Sequence, residues 1–374
     1  MDKPFIFGSA TLGKWFTDRE EETKRLKLNF TCGVNTIIIS PRRWGKTSLV
    51  LKASNELNDK NIKVVNMDIF ACRSIQEFYQ IFATELIKQT SSKWEEWVEN
   101  AKRFLANLSP KITFGSDPMT EFSLSLDFNH KQFNEELLAL PQKIAADKNI
   151  KIVVCIDEFQ QVAEFSNSLS FQKKLRSVWQ LQAQNVTYCL YGSKKHLLSG
   201  LFSKTNMPFY KFGDILFLQK IAAEYWITYI CERFEQTGKQ ISQALAEKIC
   251  KQVENHSAYV QQLAWLVWIR TDKTATQQGL DEALQDLISQ NSMLYHNYLE
   301  GLTSLQLNFL KAVANGIHTH FSKKEVLTQY KLGTSANISR IKKALEDREL
   351  IDIAPNRITF NDTVFRLWFI KEVL

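Results

Sequence analysis

Short runs of apolar, often β-branched residues alternate with amphipathic helical patterns along the first two-thirds of the chain. This alternation predicts a parallel β-sheet whose strands are connected by crossover helices. Helical patterns, with apolar residues three and four positions apart, lie for example at residues 75–89 and 171–184. The predicted strands are residues 36–40, 63–68, 150–157, 186–191 and 215–218.

Residues 110–129 interrupt this rhythm. Polarity alternates along residues 111–114 and again along 121–128, as it does in strands with one exposed face. Between the two segments stand Gly115, Ser116, Asp117 and Pro118, which favour a tight turn. We predict a β-hairpin inserted after the second crossover helix, which is either a structural decoration or a contact for a partner.

After about residue 220 the strand patterns stop and only helical patterns follow, at residues 221–235, 242–253, 259–270 and 276–290. From about residue 302 the pattern changes to three helices followed by a β-ribbon, the order of a winged helix. The three helices are predicted at residues 304–315, 323–330 and 335–347. The ribbon strands are predicted at 350–353 and 357–360, around a turn at Ala354, Pro355 and Asn356.

The first predicted strand leads into a loop that has the sequence of a phosphate-binding loop. The loop is Ser40-Pro41-Arg42-Arg43-Trp44-Gly45-Lys46-Thr47-Ser48, and an amphipathic helix at 49–57 follows it. Backbone amides at a helix N-terminus attract phosphate oxygens, and strand, loop and helix are the context that this motif requires. In such a loop Gly45 lets the chain wrap closely around the phosphates. Lys46 reaches the β- and γ-phosphates, and the Thr47 hydroxyl coordinates Mg²⁺. We expect Ser48 to approach the α-phosphate. The first position, normally Gly, is Ser40, so a chance match stays open as the alternative.

A second element is the apolar run at residues 152–156, which ends in Asp157 and Glu158. The carboxyl ends of strands in open α/β sheets border the crevice in which ligands bind. We predict that Asp157 belongs to the Mg²⁺ shell and that Glu158 polarises the water that attacks the γ-phosphate. The alternative is an ordinary solvated turn.

The predicted strand at residues 186–191 ends in Gly192 and Ser193. A polar side chain at this position can sense the γ-phosphate from the neighbouring strand, which makes Ser193 a third candidate catalytic residue beside Glu158 and Lys46. Gly-Ser also ends many strands without any such function, so both interpretations stay open.

Composition narrows the class of protein. With 374 residues, 44% hydrophobic and 23% charged, the chain is long enough for two or three globular domains. It has neither an apolar run near the roughly 20 residues of a membrane span nor a signal-peptide pattern, so we expect a cytoplasmic protein without a membrane partner. The six cysteines show no metal-type pairing, which agrees with a reducing compartment. The net charge of +7 permits a nucleic-acid partner, and residues 303–374 carry 11 Lys/Arg against 7 Asp/Glu.

Together these elements resemble the archaeal-type P-loop ATPases, a prokaryotic group near the AAA+ and the signal-transducing (STAND) NTPases. Residues 16–22 are similar to the family's F-x-x-R-E-x-E box, which includes Arg19 here and helps to frame the adenine. Residues 40–48 are similar to its G-P-R-R-x-G-K-T-S loop, and residues 154–160 to its h-h-D-E-F-Q element. Residues 253–263 are similar to a helical-domain motif centred on G-x-P. Residues 360–368 resemble the D-P-h-F-x-x-W ending of its winged helix.

The expected fold class is therefore α/β, a parallel-sheet P-loop NTPase domain of AAA+/STAND-like type with a helical lid and a C-terminal winged helix. The expected domains are an ATPase domain at 1–219 with the hairpin at about 110–129, a lid at 220–298 and a winged helix at 299–374. The resemblance implies ATP and Mg²⁺ as ligands and hydrolysis of ATP to ADP and phosphate.

The sequence departs from the family pattern at five positions. Ser40 replaces the leading Gly, Asn255 and Ser257 stand where Gly and Pro are expected, Thr363 stands where Pro is expected, and Met207 replaces an Arg. The last departure argues against an arginine donated near this segment, and hence against a ring with shared active sites. Slow hydrolysis with switch-like behaviour is expected rather than a processive motor.

In the predicted helix at 335–347, Ile338, Ile341 and Leu345 would pack inward. Five polar residues would then face outward as contacts for DNA phosphates and base edges, namely Asn337, Ser339, Arg340, Lys342 and Lys343. Winged helices of this ATPase group also serve as autoinhibitory or protein-contact modules, so both interpretations stay open.

Three functions are compatible with these features. The first is a nucleotide-dependent switch that hydrolyses ATP slowly and regulates a partner protein or effector. The second is a DNA-associated ATPase of replication-initiation or mobile-element type that binds duplex DNA. The third is a catalytically silent nucleotide-binding scaffold. Self-association is compatible with each of them.

Overall fold

The computed structural model describes residues 3–57, 59–105, 111–114, 122–125, 133–182, 184–354 and 356–374. The chain forms two compact units, Arg19–Gln219 and a second unit that combines the first 18 residues with Lys220–Leu374. The sequence-based boundaries group those 18 residues with the N-terminal domain instead. The difference arises because Phe5 is buried, with its ring centroid 6.1 Å from that of Tyr229 and 5.9 Å from that of Phe234.

The unit Arg19–Gln219 contains a parallel β-sheet. The strands described in this unit are β1 (Thr36–Ile39), β2 (Ile62–Asp68), β3 (Lys111–Phe114), β4 (Phe122–Ser125), β5 (Lys151–Asp157), β6 (Val186–Gly192) and β7 (Asp214–Phe217). Five of them form one sheet in the order β2-β5-β6-β1-β7, and every neighbouring pair in it is parallel. Strand β1 is buried over its full length, as expected for the near-continuous apolar runs of parallel sheets. The predicted parallel α/β domain is thereby confirmed.

The strand order fixes which loops meet. Strand β6 lies between β1 and β5, so the loop that follows β1 and the carboxylates that end β5 flank the end of β6. In the register of the sheet, Ile39 is opposite Gly192, and Asp68 is opposite Asp157.

Eight helices are described in this unit: α1 (Glu20–Cys32), α2 (Lys46–Asn55), α3 (Ile75–Thr90), α4 (Trp94–Phe104), α5 (Phe133–Leu138), α6 (Leu140–Lys148), α7 (Ser168–Gln180) and α8 (Lys195–Ser203). Ser74 caps α3 by accepting a hydrogen bond from the amide of Glu77. Helix α7 ends four residues earlier than predicted, because Leu181 and Gln182 close its last turn with short-range backbone hydrogen bonds.

The predicted hairpin is present as an antiparallel pair in which β3 aligns with β4 and Phe114 is opposite Phe122. The predicted turn at 115–118 and the end of the second strand at 126–128 lie outside the described residues.

In its described residues the second unit is helical apart from one β-ribbon and an isolated bridge between Gln240 and Thr274. It contains α9 (Ala223–Glu235), α10 (Gln243–Gln252), α11 (Ser257–Ile269), α12 (Gln277–Gln290), α13 (Ser292–Leu299), α14 (Ser304–Ala314), α15 (Lys324–Gln329), α16 (Ser335–Asp347), β8 (Ile351–Ala354), β9 (Arg357–Phe360) and α17 (Thr363–Val373). The predicted order of three helices and a ribbon is present from α14 to β9. Helix α17 was not predicted as a helix, because residues 360–368 were interpreted only as a family motif.

A partly buried hydrogen bond connects α11 with the start of α17. The Tyr259 hydroxyl donates to Oδ2 of Asp362 at 2.5 Å, and Oδ1 of Asp362 accepts from the amides of Val364 and Phe365 at 2.8 and 2.9 Å. Asp362 is thus the N-cap of α17 and the acceptor for α11 at the same time. Helices before and after residue 298 share one hydrophobic core.

Three of the departures from the family motifs have a structural explanation. Asn255 has φ +56°, and Asn tolerates this left-handed conformation better than most other residues with a side chain. Ser257 and Thr363 are the first residues of α11 and α17. Pro is favoured at the first helical position but not required there, because that amide has no partner within the helix.

Candidate functional site

The loop between β1 and α2 is curved, and the side chain of Lys46 reaches back across it to the start of the loop. Gly45 has φ +94° and Arg43 has φ +62°, both in the left-handed region. Lys46 is 6% exposed, and its Nζ donates to the carbonyls of Ser40 and Pro41 at 3.1 and 2.8 Å. Ser40 does not adopt a positive φ, so the loop does not need Gly at this position.

Thr47 joins this loop to the end of β5. Its hydroxyl donates to Oδ2 of Asp157 at 2.7 Å, across 110 residues of sequence. Oδ1 of Asp157 accepts from the amide of Glu158 at 2.8 Å. A hydroxyl and a carboxylate side by side are hard oxygen donors of the kind that Mg²⁺ takes together with substrate phosphates. The donor set at this position therefore fits the expected cation.

Asp157 lies in surroundings that disfavour its ionised form. Burial raises the pKa of Asp157 to about 6, against the opposing effect of the hydrogen bonds from Thr47 and the Glu158 amide. The nearby charges of Glu158 and Asp68 raise the pKa further. A positive ion beside the carboxylate would favour its ionised form.

Glu158 follows with a left-handed backbone (φ +55°), which directs its side chain towards the end of β6. The Ser193 hydroxyl donates to Oε2 of Glu158 at 2.9 Å, and the Ser193 amide contacts the same oxygen at 3.4 Å. Nε of Arg42 donates to Ser193 Oγ at 3.3 Å. The structure therefore brings together the phosphate loop, the acidic strand end and Ser193, the three elements that the sequence singled out.

Arg19 contacts the site through the protein backbone. It is 3% exposed, and its Nη2 donates to the carbonyls of Gln219 at 2.5 Å and Trp44 at 3.4 Å. Its Nη1 pairs with Glu22 at 2.9 Å. The guanidinium thus ties the phosphate loop to the last residue of the unit. A role of Arg19 in framing the adenine stays a prediction.

Two residues at this site were not singled out from the sequence. Asp68 ends β2 opposite Asp157, just as Asp157 ends β5, and an acidic residue directly after an apolar strand was the available signal. Gln160 is 2% exposed, and its Nε2 donates to Oε2 of Glu158. In the sequence, Gln160 was recognised only as the last residue of the h-h-D-E-F-Q element. Among the described residues, no group of three or more His, Cys, Asp and Glu side chains could hold a metal ion by itself.

On α16, Ser339, Arg340 and Lys343 are exposed as predicted for a DNA-contacting helix. Asn337 and Lys342 are half-buried. The Nζ of Lys342 lies 5.4 Å from the centre of the Phe321 ring, so this ammonium is directed at an aromatic face of the protein itself.

Comparison with known families decides the assignment. Residues 16–205 match the family described as "ATPase domain predominantly from Archaea". The chain belongs to this ATPase family. Residues 293–371 match a second family, described as "probable winged helix domain", which confirms the predicted C-terminal module. No curated protein matches the sequence significantly.

Solved structures similar to this ATPase support the same fold. A Walker-type ATPase of Pyrococcus abyssi superposes with a TM-score of 0.68 at 15% identity, over 98% of this chain and 99% of that one. The ORC2 protein of Aeropyrum pernix, in ADPNP and ADP complexes, gives 0.59 at 15% identity over 98% and 94%. The ORC1 protein of the same organism, in complex with DNA, gives 0.50 at 10% identity over 96% and 94%. The predicted fold class is confirmed. No helix in the described part of the chain is both long and apolar enough to cross a membrane.

Proposed function

We propose that this ATPase-family protein binds ATP with Mg²⁺ in the loop Ser40–Ser48, hydrolyses it slowly to ADP and phosphate, and acts as a nucleotide-dependent switch for a partner protein. The observation that carries this proposal is the 2.7 Å hydrogen bond between Thr47 and Asp157. It joins the phosphate loop and the acidic element in one site, as the chemistry of phosphoryl transfer requires.

Each residue of the site has a defined task in this mechanism. The loop amides and Lys46 bind the β- and γ-phosphates, and Ser48 lies near the α-phosphate. Thr47 and Asp157 would hold Mg²⁺, which when bound neutralises charge on the phosphates. Glu158 orients the attacking water by accepting its hydrogen bond, and Ser193 lies where it can contact the γ-phosphate.

In the reaction, the water oxygen forms a bond to the γ-phosphorus while the bond from that phosphorus to the bridging oxygen breaks. ADP leaves with the electron pair of the broken bond. The proton of the water passes, by way of the carboxylate of Glu158, to the phosphate product or to solvent.

Slow turnover follows from the departure at Met207. Its side chain is partly buried against the core of its unit, where the family pattern has Arg. No cation is therefore supplied from this position to a neighbouring protomer. If self-association supplies one from nearby, Lys204 and Lys211 are exposed, whereas Arg233 is buried against Tyr229.

The switch is tested by separating binding from chemistry. Lys46→Ala should weaken ATP affinity about tenfold to a thousandfold, or about 1.4–4 kcal/mol, in calorimetric titration. Glu158→Gln should bind ATP normally and lose about two orders of magnitude of turnover, because it keeps the shape but not the charge. Unchanged affinity in the first variant would remove the site. Undetectable turnover in the parent protein would leave the silent scaffold as the function. Partner proteins are then sought in a cell lysate kept under reducing conditions. The proteins retained by the ATP-bound Glu158→Gln variant are compared with those retained by the ADP-bound parent.

A second candidate function is supported by the exposed cations Arg340 and Lys343 on α16 and Arg357 at the start of β9. A helix and a ribbon with basic tips are the parts with which winged helices contact duplex DNA. We hold this as the alternative in which DNA is the partner.

A further inference from the structure

The carboxylate of Glu158 is asymmetrically bonded. Its Oε2 accepts hydrogen bonds from Ser193 and from Nε2 of Gln160, whereas its Oε1 accepts none from the part of the chain that the structure describes. A carboxylate has two oxygens and can rotate about the bond that joins it to the rest of the side chain. Donors fixed on one oxygen therefore decide where the other one points.

Gln160 is built into the fold at this position. It is 2% exposed and follows Phe159, which is fully buried and packs its ring 5.3 Å from Phe209 and 5.9 Å from Phe202. The anchored Phe159 ring holds the backbone of the turn between Glu158 and Gln160. The side-chain amide has only one orientation that suits a carboxylate, with Nε2 towards Glu158, because a carboxylate only accepts.

The remaining oxygen of the Gln160 amide lies against Gly192. It is buried and has no hydrogen-bond partner among the described residues. A Cβ added at Gly192 would lie 1.9 Å from this oxygen and 3.2 Å from the Cα of Glu158. Only glycine at the end of β6 leaves room for the amide. Burying an amide oxygen without a hydrogen-bond partner costs free energy. That Gln160 is nevertheless buried with its NH₂ group on a carboxylate indicates that this contact has a function.

We propose that Gln160 is a positioning residue for ATP hydrolysis: together with Ser193 it anchors Oε2 of Glu158, so that Oε1 is the oxygen that accepts the hydrogen bond of the attacking water. This inference rests on the proposed function of Glu158. In this role Gln160 acts on the reaction through the orientation of the carboxylate. Gly192 provides the space for it.

The main test is Gln160→Met, which keeps the length and the burial of the side chain but removes the donor. We expect kcat to fall about tenfold to a hundredfold, since small displacements of a catalytic group have effects of this size, while the Kd for ATP stays within about threefold. Gln161→Met is the matched control. It is the neighbouring residue, and it is half-buried.

A double variant at Gln160 and Glu158 distinguishes a positioning role of Gln160 from a merely structural one. When Glu158 is already Gln, adding Gln160→Met should reduce turnover by less than about twofold more, because the group that it orients is gone. Gly192→Ala should reproduce the kcat loss with Gln160 present, by displacing its amide, and it covers the case in which Gln160→Met does not fold.

Three outcomes overturn the inference: kcat unchanged in both Gln160→Met and Gly192→Ala, kcat raised, or full additivity with Glu158→Gln. A rise in kcat would mean that Gln160 restrains Glu158 in an unproductive position. If instead Glu158→Gln itself turns over ATP like the parent, it is the proposed function that fails, and the two failures are separate results.

Discussion

The hydrogen bond from Tyr259 to Asp362 should contribute strongly to the stability of the second unit. The change Asp362→Ala removes two things at once. It deletes the cap that accepts from the amides of Val364 and Phe365, and it removes the carboxylate to which the hydroxyl of Tyr259, a side chain only 2% exposed, donates at 2.5 Å.

Loss of the cap costs about 0.5–2 kcal/mol. Loss of the hydrogen bond from Tyr259 to the carboxylate costs about 1.5–3 kcal/mol, as for other hydrogen bonds to charged groups. The expected destabilisation is therefore about 2–5 kcal/mol. At 1.4 kcal/mol per factor of ten, amides of α17 that exchange through opening of this unit should exchange about 30- to 4000-fold faster. Hydrogen-exchange mass spectrometry on peptides from residues 363–373 measures this directly.

Two further variants identify the cause. Asp362→Asn keeps an oxygen acceptor for the cap and presents an NH₂ group to the Tyr259 hydroxyl oxygen in place of Oδ2, so exchange should rise less than in Asp362→Ala. Asp347→Ala, at an exposed position of α16, should leave exchange unchanged. An increase below about threefold in Asp362→Ala, or an equal increase in the Asp347 control, would refute the argument that this residue links the two helices.

Three other results are expected. Arg19→Met should weaken ATP binding about threefold to thirtyfold in calorimetric titration, because the bonds to the Trp44 and Gln219 carbonyls are lost, and an unchanged affinity would mean that the loop holds its shape alone. Turnover per protomer should stay constant over about a hundredfold range of protein concentration, whereas a steep rise would show that assembly completes the site. Duplex DNA binding should fall steeply between about 50 and 200 mM salt and disappear on reversing the charges of Arg340 and Lys343; no gel shift at about 50 mM salt with either nucleotide would retire the DNA alternative.

The strands of the sheet could be predicted because each is an apolar run with a clear end. Predicted residues 150–157 and observed β5 (Lys151–Asp157) differ by one residue. The same runs carry the site, since loops at the carboxyl ends of parallel strands are where ligands bind. Local sequence therefore indicated the phosphate loop, Asp157 and Ser193, although their contacts come from strands far apart in the chain.

The residues that could not be predicted depend on tertiary contacts. Gln160 reaches Glu158 only because Gly192, at the end of β6, leaves space for its amide. Phe5 belongs to the second unit because its ring packs with that of Tyr229, more than 200 residues later. Helix α17 escaped prediction because its apolar residues face several neighbours and give no clean one-sided pattern; Trp368, for example, donates to Ser292 at 3.0 Å.

The position of β1 in the sheet has a consequence during synthesis of the chain. Its two partners are β6 and β7, so Thr36 finds Cys189 and Asp214 only after more than 150 intervening residues have been made. Until then the run Thr36–Ile39, which is completely buried in the finished fold, has no neighbours in the sheet. Closing so long a loop carries an entropic cost, and exposed apolar strands of incomplete chains are prone to aggregate. A nascent chain that stops before about residue 186 therefore has the phosphate-loop sequence but neither of the strands that pair with β1, and such fragments should be substrates for chaperones rather than bind ATP.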